Sequence, residues 1–195
     1  MKQHFMQGAM GLDSCRSAHD AQKYLHQNLG SHVKGINKRV IELDIEKCFD
    51  RINHTTIMEN LIAPKGIKSG IFRCLKAGIN PEFPEQGTPQ GGVISPLLAN
   101  IALNGIESIH KYHKYHTKGC RISKKTPTED IIEPSIRYAD DMVIILRPED
   151  DASEILDRIN KFLASRGMKV SEKKTKITAA TDGFDFLGWH FHCAK

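Results

Sequence analysis

Three aspartates carry the chemistry that this sequence can offer. Asp140 and Asp141 are adjacent and lie between two apolar, β-branched runs, Ile136-Arg137-Tyr138-Ala139 and Met142-Val143-Ile144-Ile145-Leu146. Such an arrangement reads as a hairpin with the acids in its tight turn. Neighbouring carboxylates repel one another, and partial burial raises their pKa values unless a cation neutralises them. Hard oxygen donors suit magnesium, which takes one or two carboxylates, keeps waters and completes its octahedron with substrate phosphates. Asp44 lies near the end of a third run, Val40-Ile41-Glu42-Leu43-Asp44-Ile45, and a third carboxylate makes room for two ions. One ion would then lower the pKa of an attacking hydroxyl while the other stabilises charge on departing phosphate. Magnesium fits, with manganese as a substitute. Taken alone, Tyr138-Ala139-Asp140-Asp141 also reads as a plain polar turn, so the rest of the chain must decide.

The elements that would position these acids are legible in the spacing. Ser17 stands three residues before Asp20, and Ala21, Tyr24, Leu25 and Leu29 follow at helical intervals up to Gly30. Helical spacing returns from about Thr55 to Ala63 and from about Ser69 to Ala77. Gly78 to Gly92 is broken by Pro81, Pro84, Gly87, Pro89 and Gly91, which predicts a loop. Ser95-Pro96 opens a helix expected to be long and buried, through Leu97, Leu98, Ile101, Leu103, Ile106 and Ile109. Lys111 to about Glu129 is polar and basic and reads as an exposed loop. Glu154 to Arg166 is amphipathic and stops at Gly167. Short strands fit Met168 to Val170 and Lys176 to Ala179, and Phe184 to Phe191 fits a closing strand or hairpin. The order predicts an α+β fold, a sheet with helices packed on one face, able to bring Asp44 beside Asp140 and Asp141.

Composition sets the outer bounds. The chain has 195 residues, 39% hydrophobic and 26% charged, enough for one compact unit with a real core. Lys and Arg number 28 against 23 Asp and Glu, a net charge of +5 with a pI near 8.9, which favours a polyanionic partner. Cys15, Cys48, Cys74, Cys120 and Cys193 are odd in number and form no C-x-x-C pair, which points to free thiols in a reducing compartment. The start lacks the apolar stretch of a signal peptide, and no run of membrane-spanning length occurs. A protein that is not secreted and has no membrane partner is expected.

The aspartates stand inside longer blocks. Val40 to Asp50 resembles the first catalytic motif of reverse transcriptases, and Arg137-Tyr138-Ala139-Asp140-Asp141 resembles their second. Between them, Gly87-Thr88-Pro89-Gln90-Gly91-Gly92-Val93-Ile94-Ser95-Pro96-Leu97-Leu98-Ala99-Asn100-Ile101 resembles the block characteristic of group II intron reverse transcriptases. Gly167 to Lys176 is similar to the block that follows, Phe186-Leu187-Gly188-Trp189 to the primer grip, and Arg16 to Ala21 to the end of a fingers motif. The resemblance covers nearly the whole chain in the family's order.

It implies a right-hand polymerase fold, with partial fingers over about residues 1–38 and a palm over about 39–195, copying RNA into DNA from a primer. Asp44, Asp140 and Asp141 match the family's metal-binding acids, and the Ile45 carbonyl is a further implied ligand. Phe49 matches the aromatic gate against a ribose 2′-hydroxyl, and Gln90 matches the glutamine that contacts the incoming deoxynucleoside triphosphate. Gly91 and Gly92 would let backbone approach primer and template. Leu187, Gly188 and Trp189 would support the primer end, Trp189 reading equally as core. Lys174, or else Lys173, is placed to protonate leaving pyrophosphate or contact phosphate, though a lysine run also reads as a solvated face. The Lys111 to Lys125 segment reads equally as a template-RNA contact and as a solvated loop. The early fingers block and the thumb have no counterpart here, so the chain reads as truncated at both ends. Implied partners are an RNA template with a DNA or RNA primer, deoxynucleoside triphosphates, intron RNA, and a complementing polypeptide or a second copy. The implied location is the bacterial cytoplasm or an organelle. Two readings stay open: an active RNA-directed DNA polymerase core, and an inactive RNA-binding maturase remnant or one part of a split polymerase.

Overall fold

A computed structural model describes residues 9–10, 17–30, 33–77, 84–88, 92–114, 130–132 and 134–194. In chain order the first half gives β1 (Ala9–Met10), α1 (Ala18–Leu29), β2 (Arg39–Leu43), α2 (Cys48–Arg51), α3 (His54–Asn60), α4 (Lys65–Lys76) and α5 (Ser95–Leu103). The second half gives β3 (Tyr112–Lys114), β4 (Asp130–Ile132), β5 (Ser135–Tyr138), β6 (Asp141–Leu146), α6 (Ala152–Ala164), β7 (Lys176–Ala179), β8 (Phe184–Phe186) and β9 (Trp189–Phe191).

The main sheet runs β1-β5-β6-β2-β7. All its pairings are antiparallel except β1 with β5, a parallel edge that the sequence reading did not anticipate. The two central strands are apolar at successive positions, so both faces of the sheet need cover. Ile41 and Leu43 of β2, with Met142, Ile144 and Leu146 of β6, face a layer built by α3, α5 and α6. Val40, Val143 and Ile145 point the other way, into a second core with Ala21, Leu25 and Leu29 of α1 and Phe184 and Phe186 of β8. The expected arrangement with helices on one face is therefore corrected. Helices lie on both faces, because a strand that buries consecutive residues has no solvent side.

Local rules explain most boundaries. The Ser17 amide and hydroxyl both donate to Asp20 Oδ2, at 2.7 and 2.9 Å, closing the start of α1. At α6, Asp151 accepts from the Ser153 amide at 2.8 Å. Its end carries the paired bonds of a Schellman motif, Met168 N–H to Leu163 O and Gly167 N–H to Ala164 O, with Gly167 at φ +78°. The helix from Ser95 is shorter than expected. It ends at Leu103 because Asn104 leaves helical geometry and Gly105 takes φ +95°, after which a 3₁₀ turn spans Ile106–Ser108. The expected strand over Met168 to Val170 is a single bridge, Ile45 to Val170. Within the expected basic loop, Tyr112–Lys114 instead pairs with Asp130–Ile132 as a two-stranded ribbon, and 115–129 lie outside the described residues. Among the described residues no helix is long and apolar enough to cross a membrane.

Candidate active site

The register of β2 on β6 decides where the acids meet. Leu43 pairs with Met142, so one step further the strands place Asp44 against Asp141. Tyr138 pairs with Asp141, which leaves Ala139 and Asp140 as the two turn residues, with Ala139 at φ +57°. The three aspartates expected from sequence thus gather at one end of the central sheet. A cleft of about 160 Å³ opens there, lined by Glu42, Asp44, Asp141, Lys174, Asp185 and Phe186 among others.

Backbone and side-chain bonds fix this end of β2. The Asp44 carbonyl accepts from the Ser171 amide at 2.8 Å, and the Asp44 amide donates to Thr175 Oγ1 at 3.3 Å. Lys174 Nζ stands 3.4 Å from Asp44 Oδ2 with most of its side chain in solvent. The Ile45 bridge uses the Asp44 carbonyl and the Glu46 amide, so the Ile45 carbonyl itself takes no part in it. Asp141 reaches solvent at the start of β6. Desolvation against the strand ends, then the charges of Asp140 and Asp44, hold its carboxyl above the usual range, and Lys174 pulls it back. Behind the acids, burial and next the charge of Asp140 push the Cys48 thiol up to about 12, with Arg137 opposing. That thiol is a core group and not a nucleophile.

Among the described residues no three acidic, histidine or cysteine side chains close into a ready-made metal cage. A clustered but incomplete set of carboxylates, one of them held above its ordinary pKa, is the donor set that a hard divalent cation completes with water and phosphate oxygens. The residues present therefore fit such an ion.

The other expected site residues divide. Phe49 lies on α2, half-buried against the core, and its carbonyl accepts from the Thr88 amide at 2.7 Å. The Gly87 amide donates to the Ile52 carbonyl at 2.8 Å, and His54 Nε2–H donates to the Gly87 carbonyl at 2.8 Å. These bonds stitch the glycine-rich loop to the segment after Asp44. A side chain at Gly87 would meet the Asp50 carbonyl at 3.1 Å, and its φ is +90°. Gln90 and Gly91 lie outside the described residues. Gly92 precedes α5, its carbonyl accepting from the Ser95 amide at 3.1 Å. Leu187 and Gly188 form the turn between β8 and β9, beside the cleft that Phe186 lines. Trp189 goes elsewhere: its ring stands 5.3 Å from that of His19 and lines a separate cavity with Gln22, Lys23 and His26. The sequence reading missed Asp185 in the cleft, Thr175 on Asp44, and the partners of Arg137. One signal was available for Arg137, an arginine at an inward position of an apolar strand.

A family model described as reverse transcriptase (RNA-dependent DNA polymerase) matches residues 1–191. A maturase-like protein 1 of Euglena gracilis is 34% identical over 170 residues, covering 87% of this chain and 32% of that protein. The group II intron-encoded protein LtrA of Lactococcus lactis subsp. cremoris is 28% identical over 233 residues, covering 92% of this chain and 38% of LtrA. The chain spans about a third of the length of these curated relatives. Among solved structures, apo telomerase from Candida tropicalis superimposes with a TM-score of 0.62 at 14% identity, over 95% of this chain and 36% of that one. At that identity the likeness shows the fold.

Proposed function

The chain belongs to the reverse transcriptase (RNA-dependent DNA polymerase) family, in its group II intron-encoded, maturase-like branch, and we propose that it forms the nucleotidyl-transfer core of an RNA-directed DNA polymerase. The observation that carries this reading is the β2–β6 register, which brings Asp44 to Asp141 beside the turn residue Asp140. Asp44, Asp140 and Asp141 would hold two magnesium ions, with the Ile45 carbonyl as a further donor and manganese as a substitute. Bound there, magnesium would supply Lewis acidity toward a primer 3′-hydroxyl and toward charge developing on pyrophosphate.

The chain's own residues do the rest. Phe49 is held on α2 by core packing, and a rigid ring at that position selects deoxynucleotides by excluding a 2′-hydroxyl. Gln90 contacts the incoming nucleotide, and Gly91 and Gly92 admit backbone close to primer and template. Lys174 has one ion-pair contact to Asp44 and an otherwise solvated stem, so it is free to swing to a phosphate or donate a proton there. Leu187 and Gly188 support the primer end. On this reading partial fingers take about residues 1–38 and the palm about 39–195. The partners are an RNA template with its primer, deoxynucleoside triphosphates and intron RNA, with a complementing polypeptide or second copy supplying further surface.

Primer extension on poly(rA) with an oligo(dT) primer and magnesium tests the proposal, with Asp140→Ala in parallel. Magnesium-dependent DNA synthesis that disappears in the variant supports it. No synthesis above the variant, from protein shown to be folded, overturns it in favour of an inactive maturase remnant or one part of a split polymerase, and RNA binding is then the next measurement.

A further inference from the structure

Arg137 is fully buried, at 0% exposure, in a strand whose other inward neighbours are small or apolar. Paired with Met142, it lies on the sheet face covered by α3, α5 and α6. There its Nε–H donates to Glu107 Oε1 at 2.6 Å, and its Nη1 donates to Asn100 Oδ1 at 2.6 Å and to the Ala139 carbonyl at 2.8 Å. Glu107 and Asn100 are themselves buried, at 4% and 2% exposure. Nη2 is buried and has no partner among the described residues. For stability alone, an apolar side chain would serve this position at least as well as a desolvated ion pair. The third bond suggests what the guanidinium is for. Its acceptor, the Ala139 carbonyl, belongs to the turn residue at φ +57°, a conformation unfavourable to alanine and easy for glycine.

We propose that Arg137 is a positioning residue for the carboxylate turn. Anchored by Glu107 and Asn100, its guanidinium holds Ala139 in the left-handed conformation that delivers Asp140 to the cleft. The polymerase reading supplies the consequence for metal binding, whereas the claim about the turn stands without it. Glycine at 139 would reach the same conformation freely but would also leave it freely. Alanine held by a buried fork gives a turn with one geometry. The fork is needed because two of its nitrogens serve three acceptors in different directions, which a single ammonium cannot reproduce.

The test keeps the charge on Glu107 satisfied by using Arg137→Lys. Protein labelled with ¹³C-alanine reports the Ala139 backbone through its Cα and Cβ shifts, and Mn²⁺ binding is read by electron paramagnetic resonance of the free ion. In the wild-type chain Ala139 should show left-handed shifts. In Arg137→Lys these should move toward ordinary strand or helical values, and the Mn²⁺ dissociation constant should rise about tenfold. Adding Ala139→Gly to Arg137→Lys should bring Mn²⁺ affinity back to within about threefold of wild type while the melting temperature stays lowered, since glycine needs no clamp. Unchanged Ala139 shifts and Mn²⁺ affinity in folded Arg137→Lys overturn the proposal. So does a double variant that binds as weakly as the single one, because the damage is then general loosening of the core. Wild-type Mn²⁺ binding that Asp140→Ala leaves unchanged overturns the reading of the acids as a metal site, and the alanine shifts then decide the claim about the turn.

Discussion

Two hairpin turns flank the cleft, and they are held in opposite ways. In the β5–β6 turn a non-glycine residue, Ala139, takes positive φ, and the buried Arg137 of β5, anchored on Glu107 and Asn100, donates to its carbonyl. In the β8–β9 turn Leu187 and Gly188 both take positive φ, at +51° and +82°, and a side chain added at Gly188 would meet nothing within 4 Å. The side-chain bond to the first turn comes from a residue only two positions away, and tertiary bonds to Glu107 and Asn100 fix that donor. The second is a two-residue turn with positive φ at both positions, in which Gly188 faces open space while Leu187 packs against the second core. A turn that must place a carboxylate to a fraction of an ångström gains from the first arrangement. The role proposed for the other turn, support of a primer end, would tolerate the second.

The widest separation between the two turns should come from removing the anchor of the first. Glu107→Ala leaves the Arg137 charge buried without its carboxylate and should lower unfolding stability by about 3–5 kcal/mol in urea titrations. A loss under about 1 kcal/mol would break the comparison. Asp140→Ala should then lower primer extension at least about 10²–10³-fold with the fold intact by circular dichroism, the scale of losing one group that stabilises transition-state charge. For the second turn, Gly188→Ala should cost only its backbone strain, about 1–2 kcal/mol, since no neighbour has to move. A larger loss would mean that this hairpin is also clamped.

The smallest effect concerns Asp141, whose carboxyl is held above its ordinary value of 3.8 by desolvation and by Asp140 and Asp44. The folded protein then binds that proton more tightly than the unfolded chain does. The charged form costs stability once pH exceeds the folded-state pKa, and the cost disappears below 3.8. Asp141→Asn should therefore raise the melting temperature at neutral pH, without added divalent cation, and leave it unchanged at strongly acid pH. Magnesium should raise the wild-type melting temperature at neutral pH by relieving the same repulsion.

Much of this fold is written locally. The Ser17–Asp20 cap, the Gly167 stop, the two apolar runs around Asp140-Asp141 and the closing hairpin follow from the spacing of a few residues, because each depends on bonds made within a turn or two. Other elements could not be read that way. The parallel pairing of β1, the ribbon of Tyr112–Lys114 with Asp130–Ile132, and the bridge from Ile45 to Val170 join segments distant in sequence, and no local period encodes a partner. Cover on both sheet faces was implicit in Val143-Ile144-Ile145, where consecutive apolar residues leave no solvent side. Its source in α1 and β8 was not.

The site divides along the same line. Residue types singled out Asp44, Asp140 and Asp141 as candidate metal-binding acids, and it was the resemblance of the blocks around them that favoured this over a plain polar turn. Only the tertiary structure decided that Asp44 meets Asp141, that Trp189 turns away toward His19, and that Arg137 grips the turn beside Asp140. The physical reason is that a hydrogen bond between Arg137 and Glu107, or a register between β2 and β6, is a relation between separated segments. It takes a value only once the core between them has packed.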